Sequence, residues 1–479
     1  MSVASEAVPF LLNRDKIEEK AGPGVVLLDI IRRVHHLTGT KEACREGDCG
    51  ACMVLLGTPE ASSRMRYVPV NSCLLPLGAV AGCHLVTIEG INGPELNPIQ
   101  QMLVAQGGIQ CGFCTPGFVI ALTAFFLNSI NSDAAAAMDA VAGNLCRCTG
   151  YAGIKRTIQA LCSRFDLSGS PQENRIRDCI DWHLLPRYFA SIPEKLASLP
   201  RIKPAPGDSD AVRVAGGTDL FVQKPEILCS APLNFLRPEN SAECVRLQDG
   251  RCIIDAATTI EQLRTSQALQ NLFPAIDEDF RRICCAPIRQ RATVGGNLFN
   301  ASPIADLAVF FLALDARLHI DGPMQERPVR LRDFFKAYKQ IDCGPDELLR
   351  EISLALPEPP FGFSFEKVSK RTYLDIASVN SALLIELSNG VIQKVCLSAG
   401  GVAPIPLYLN STCEFLLGKA VREEVVLEAA RVAQSEIAPI SDIRGTADYK
   451  GLLLRQLIFA HFLKLFPEQL CWEALHETA

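Results

Sequence analysis

The chain lacks a surplus of positive charge: 47 Lys and Arg stand against 53 Asp and Glu, for a net charge of −6. Without a basic field, neither a nucleic-acid partner nor an anionic membrane surface is expected. The opening stretch MSVASEAVPFLLNRDKIEEK has neither a basic leader nor a long apolar core, so no secretory signal is read there and the reducing cytoplasm is the expected compartment. Long hydrophobic runs are also missing. The stretch from Phe118 to Leu127 is too short to cross a bilayer and is expected as a core helix. No G-x-G-x-x-G fingerprint and no P-loop is present.

Cysteine, by contrast, is plentiful, with 20 in 479 residues. Disulfide-dense secreted scaffolds are short, whereas this chain is long and 48% hydrophobic, so a reduced intracellular protein is expected. Eight of the cysteines fall into two arrays. Cys44, Cys49 and Cys52 make a C-x4-C-x2-C loop, and Cys73 follows after a gap. That is the plant-type spacing for a two-iron, two-sulfur cluster. Gly47 and Gly50 lie between these ligands, where a backbone without side chains can wrap an anionic core and aim N–H groups at its sulfurs. Structural zinc prefers paired short C-x2-C knuckles, and the first of them is missing here.

The second array pairs Cys111 and Cys114 with Cys146 and Cys148. By itself this set is open to zinc or disulfides, but it follows directly behind an iron–sulfur loop. Helices are expected from Asn97-Pro98, Thr115-Pro116, Ser132-Asp133 and Thr149, which puts each cysteine pair at a helix junction and a second metal site at one end of a small bundle. Most remaining cysteines are read as small buried hydrophobes. Cys284 and Cys285, adjacent and close to a glycine loop, are the exceptions.

Two glycine loops follow: Arg213, Val214, Ala215, Gly216, Gly217, Thr218, Asp219 and Leu220 form the first. Thr293, Val294, Gly295, Gly296 and Asn297, followed by Ser302 and Asp306, form the second. Paired glycines let backbone N–H groups reach phosphate oxygens, and Thr and Ser hydroxyls add donors. On composition alone each loop reads as a tight turn ahead of a nucleotide site, and what favours the site is the presence of two such loops in one domain behind two redox centres. The C-terminal part reads as a hairpin around Asn389-Gly390, then helices over Val421 to Gln434 and Asp448 to Phe466.

The motif from Thr38 to Cys52, Cys-Gly-Phe-Cys-Thr-Pro-Gly at 111 to 117 and Gly-Asn-Leu-Cys-Arg-Cys-Thr-Gly-Tyr at 143 to 151 resemble the iron–sulfur part of the xanthine oxidase family of molybdenum hydroxylases. Ala-Thr-Val-Gly-Gly-Asn-Leu and Ala-Ser-Pro-Ile-Ala-Asp resemble its FAD domain, and Gly-Gly-Val-Ala-Pro at 400 to 404 the domain after it. Iron–sulfur and FAD parts on one chain, with no molybdopterin domain behind them, look like the small subunit of bacterial xanthine dehydrogenases.

The resemblance implies an α+β multidomain fold. A ferredoxin-like β-grasp domain is expected over 1–92, a four-helix iron–sulfur domain over 93–165 and a linker over 166–182. An FAD-binding α+β domain over 183–375 and a C-terminal α+β subdomain over 376–479 complete it. It implies that Cys44, Cys49, Cys52 and Cys73 hold the cluster nearer the flavin and Cys111, Cys114, Cys146 and Cys148 the one nearer molybdenum. FAD is then expected on 213–220 and 293–297, with Ser302, Asp306, Leu349 and Lys367. Where some relatives carry an aromatic beside the flavin, this chain has Ile283. The implied activity is electron relay during hypoxanthine and xanthine oxidation, from molybdopterin on a large partner subunit through both clusters to FAD and then NAD, in a dimer of heterodimers. Service to an aldehyde or N-heterocycle hydroxylase is the alternative within the family, and a zinc-binding structural protein the alternative outside it.

Overall fold

The computed structural model describes residues 7–60, 64–169, 171–200, 211–236 and 243–477. They form two compact units. One comprises Met1–Leu236 together with Cys285–Arg291, the other Arg237–Cys284 together with Ala292–Ala479.

The first unit opens with a five-stranded mixed sheet of β1 (Val8–Leu12), β2 (Asp15–Glu19), β3 (Met53–Pro59), β4 (Met65–Asn71) and β5 (His84–Val86), in the order β2-β1-β5-β3-β4. β1 runs parallel to β5 and the other neighbours are antiparallel. Leu27, Ile30 and Ile31, at helical spacing, close one face against Phe10, Leu12, Val54 and Leu85. The cysteine loop leaves the end of this helical turn and returns into β3.

Four helices follow: Pro98–Ala105, Thr115–Asn128, Ala134–Ala140 and Ala152–Arg164. Asn97 begins the first with a capping box to Gln100 and proline at the first helical position, and Asp133 caps the third through Ala136 N–H. Such side chains satisfy N–H groups that a helix start leaves unpaired. The second helix is buried on every side from Gly117 to Leu127, as an all-apolar helix must be.

Two expectations about boundaries need correction, and a third range is shared between the units. Residues 166–182 are not an open linker: Arg175–Asp181 is a helix with Cys179 and Arg175 fully buried, because its few apolar positions share one face beneath a charged exterior. The range expected for the FAD domain falls in both units, since residues up to Leu236, and again Cys285–Arg291, lie in the first. The C-terminal subdomain begins before 376, because Phe361–Val368 is the first strand of its sheet and pairs with Val379–Ser388 along its full length.

In the second unit one five-stranded sheet has the order Glu326–Arg330, Arg317–Asp321, Leu348–Ala355, Arg251–Asp255, Val245–Gln248. The other is built on the hairpin Val379–Ser388 and Val391–Gly400, turning at Asn389 and Gly390, both with positive φ. The helix Asp306–Ala313, buried from Leu307 onward, packs beneath this hairpin, and Glu423–Glu436 and Ala447–Leu465 complete the layer.

Candidate functional site

All eight array cysteines lie in the first unit, and each array resolves into two pairs. In the first, the Cys44 and Cys49 sulfurs are 3.3 Å apart, and Cys52 is hydrogen-bonded to Cys73. In the second, Cys111 and Cys148 are 3.5 Å apart, and Cys114 is hydrogen-bonded to Cys146. None is in a disulfide. Among the described residues no three His, Cys, Asp or Glu side chains converge on one ion. A tetrahedral zinc wants four ligands around one point, whereas a two-iron cluster asks for two thiolates at each iron. The donor set therefore fits two clusters of the two-iron type.

The same pairing governs the thiol acidities. The Cys49 thiol holds Cys44 down at about 5, with the N–H groups of Glu46, Cys49 and Asp48 contributing, and Cys49 is raised in return. Cys73 likewise lowers Cys52 and is itself raised. The Phe113 N–H, then Cys148, lowers Cys111, and Cys111 raises Cys148. Burial pushes Cys114 up to about 12, whereas at Cys146 the Thr149 hydroxyl and the N–H groups of Thr149 and Cys148 outweigh burial and lower it. Each array thus offers nearby N–H and O–H donors to anionic sulfur.

The backbone makes room for this. Gly47 (φ 79°) and Gly50 (φ 67°) adopt left-handed conformations, and a Cβ on Gly50 would lie 2.4 Å from the Gly143 carbonyl. The two loops touch directly there, Leu145 N–H donating to the Cys49 carbonyl at 3.0 Å. Their exposures differ: Cys52 and Cys73 are buried, whereas Cys111 and Cys148 are exposed. Beside the exposed pair, Phe113 is 45% exposed.

The segment Cys285–Arg291 seats against both arrays. Cys285 packs on Gly143, and Ile288 lies over Gly47. The buried Arg289 pairs with Asp139 at 3.7 Å. Cys285 is a buried thiol, pushed up to about 11 by desolvation. Spacing could not show this seat, since the contacts are remote in sequence.

The glycine loops lie in different units. In the first unit, Val212–Val214 pairs parallel to Leu233–Phe235 and turns through Gly216 and Gly217 (φ 74°) into the short helix Leu220–Gln223. Arg291 donates to the Gly216 carbonyl at 3.0 Å. In the second unit, Thr293 caps Val294–Asn300 through Gly296 N–H. Gly295 N–H meets the Ala256 carbonyl at 2.8 Å, and a Cβ on Gly295 would press on that same oxygen at 2.9 Å. Asn297 Oδ1 is buried without a partner, an acceptor left for a bound group, which fits a flavin.

Asp306 accepts from Lys367 Nζ at 2.7 Å and from Asn380 Nδ2 at 2.5 Å, and Lys367 also donates to the Arg282 carbonyl at 2.9 Å. Lys367 is buried, and its amine is held by these two acceptors. Leu349 and Ile283 are core residues, 5% and 2% exposed. Ser302 N-terminally flanks the helix that begins at Asp306, and its carbonyl accepts from Ala305 N–H.

Four family models match in chain order: a 2Fe-2S iron-sulfur cluster binding domain at 10–77, a [2Fe-2S] binding domain at 87–159, the FAD binding domain in molybdopterin dehydrogenase at 187–358 and the CO dehydrogenase flavoprotein C-terminal domain at 364–465. The chain is an iron–sulfur flavoprotein, and its domain set fits the molybdenum hydroxylases. It is 28% identical to xanthine dehydrogenase 1 of Arabidopsis thaliana, over 92% of this chain and 38% of that protein. With xanthine dehydrogenase of Emericella nidulans it shares 30% identity over 88% of this chain and 36% of the relative, and with aldehyde oxidase 1 of Cavia porcellus 25% over 95% and 39%. The chain thus spans under two fifths of the length of these relatives. Among solved structures, a carbon monoxide dehydrogenase from Hydrogenophaga pseudoflava, which lacks the Mo-pyranopterin moiety of its cofactor, matches at a TM-score of 0.50 and 26% identity, covering 55% of this chain and 92% of that one.

Proposed function

We propose that this chain is the electron-transfer subunit of an NAD-dependent xanthine dehydrogenase, working with a molybdopterin-bearing large subunit in a cytoplasmic assembly of two small and two large chains. When bound, the clusters supply one-electron transfer and FAD converts single electrons into the two-electron exchange that NAD requires. Cys111, Cys114, Cys146 and Cys148 hold the cluster that receives electrons from the partner, and Cys44, Cys49, Cys52 and Cys73 the one that passes them on. The observation that carries this order is the difference in exposure: Cys111 and Cys148 are open to a partner, while Cys52 and Cys73 are enclosed. Phe113, set between two ligands and half in solvent, gives that end an apolar contact.

FAD is assigned to 213–220 and 293–297, with Ser302, Asp306, Leu349 and Lys367. On this reading Asn297 accepts from the flavin, and Lys367 with Asp306 fixes the helix start beneath it. Leu349, a core residue, would contribute through its backbone.

The test is anaerobic. The chain is copurified with its native partner, xanthine is added, and the visible absorbance of clusters and flavin is followed before and after NAD. Bleaching by xanthine and recovery with NAD is the expected result. Bleaching by dithionite but not xanthine would move the substrate to another class, with aldehydes first because aldehyde oxidases match this chain nearly as well.

A further inference from the structure

Two buried asparagines reach the first cysteine loop from different parts of the iron–sulfur unit. Asn71, at the end of β4, donates from Nδ2 to the Gly47 carbonyl at 2.8 Å. Asn144, just before the C-x-C pair of the second array, donates from Nδ2 to the Gly50 carbonyl at 3.3 Å. Each is 2% exposed, and each leaves its Oδ1 buried without a partner. The carbonyl acceptors fix which end of each amide faces the loop. What these side chains supply to the loop is therefore the donor alone.

The acceptors are the two glycines flanking Cys49. A trans peptide is planar, so a carbonyl held in one direction sends the next N–H in the opposite one. Pinning Gly47 O aims Asp48 N–H, and pinning Gly50 O aims Ala51 N–H. These N–H groups bond to Cys44 and Cys49 respectively. An acceptor bond on the carbonyl also polarises the peptide and strengthens its donor end.

We propose that Asn71 and Asn144 are positioning residues that orient and polarise the Gly47–Asp48 and Gly50–Ala51 peptides, and thereby raise the reduction potential of the cluster held by the first array. The inference rests on that array binding a two-iron cluster and goes beyond it. N–H groups directed at ligand sulfur favour the reduced, more negative state. Asparagine suits the task because it donates without charge. Aspartate would place an acceptor and a negative charge there, and leucine would remove the side-chain donor, leaving Gly50 O with Met53 N–H at 3.3 Å and Gly47 O without the Asn71 bond. Asn144 precedes the Cys146 ligand of the second array, so a residue of the helical domain tunes the cluster of the neighbouring one.

The test uses the full chain with its native partner, carrying Asn71→Leu or Asn144→Leu, or the near-isosteric Asn71→Asp or Asn144→Asp. Iron and sulfide are assayed first; absence of the first cluster from the unaltered protein would refute the cluster reading itself. A potentiometric titration monitored by electron paramagnetic resonance then reads both midpoints, with Cys114→Ser identifying the second cluster by its loss. Each variant is expected to disfavour reduction of the first cluster at least ten-fold, about 59 mV for a one-electron couple, with a smaller change in the second. Fully loaded variants with an unchanged first midpoint would overturn the proposal. If a variant fails to load, hyperfine couplings decide in the unaltered protein: exchangeable amide protons of residues 48 and 51, assigned by nitrogen-15 labelling, must couple to the reduced first cluster. Their absence would equally overturn it.

Discussion

Leu145 N–H donates to the Cys49 carbonyl at 3.0 Å, so the residue before Cys146 of one array is hydrogen-bonded to a cysteine of the other. The two loops are in backbone contact, and glycine is what permits it. A Cβ on Gly50 would stand 2.4 Å from Gly143 O and 2.6 Å from Asn144 Nδ2. A Cβ on Gly117, in the helix Thr115–Asn128, would be equally crowded, 2.2 Å from Gly50 O.

Gly50→Ala should therefore damage both sites at once. It adds an atom where none fits and holds a non-glycine residue at φ 67°, a conformation that alone costs about 1–2 kcal/mol. Iron and sulfide content should fall for both arrays. Gly169→Ala, whose Cβ would meet nothing within 4 Å, should leave both unchanged. Normal loading in Gly50→Ala would show that the loops can separate freely.

Cys114→Ser should remove the second cluster while leaving the first and FAD in place. Its helix is buried against the bundle core rather than held by metal alone. Substrate should then no longer bleach the flavin, although dithionite still should. Flavin reduction by substrate at the unaltered rate would contradict the relay order.

How much of this was legible in the chain depends on range. The two cysteine arrays could be read because their spacing is local, and three of the four helices because Asn97, Thr115 and Asp133 mark their starts. Asn71 and Asn144 could not, since their acceptors lie 24 and 94 residues away and nothing nearby singles them out. The helix Arg175–Asp181 was hidden by polar composition, which says little about a segment that buries only one face. Cys285–Arg291 was read with the FAD domain because it adjoins Thr293, yet Arg289 and Ile288 find their partners in the iron–sulfur unit. Lys367 and Asp306 were each singled out by resemblance, but their pairing was not legible, since they lie 61 residues apart.

Lys367→Met should destabilise the second unit strongly. Lys367 and Asp306 form a buried pair, 2% and 12% exposed at the side chain. Removing one partner of such a pair leaves an uncompensated charge, at a cost of about 3–5 kcal/mol. Asp306→Asn with Lys367→Met should recover part of that loss, and the double-mutant cycle in urea would measure the coupling. Additive effects would mean that the pair is not a unit.

Acid should weaken each unit through one buried histidine. His84 in the first unit is held near 4, chiefly by burial, between the Tyr67 hydroxyl and the Asn13 carbonyl. His461 in the second is also held near 4 by burial, with Ser364 on Nδ1 and Glu366 and Lys464 acting at longer range. A folded value below the unfolded 6.5 means that the unfolded chain binds the extra proton first, so stability rises with pH across this window. The contribution is fully present above about 6.5, and falling pH removes it on the way down to about 4. At about 1.4 kcal/mol per unit, each histidine carries on the order of 3 kcal/mol of this dependence. Comparing His461→Gln with the unaltered protein by urea unfolding at successive pH values cancels cluster loss common to both. The difference between them should shrink or reverse as pH falls from 7 towards 4, because only the unaltered protein loses the histidine contribution; a constant difference would mean that His461 is not held neutral.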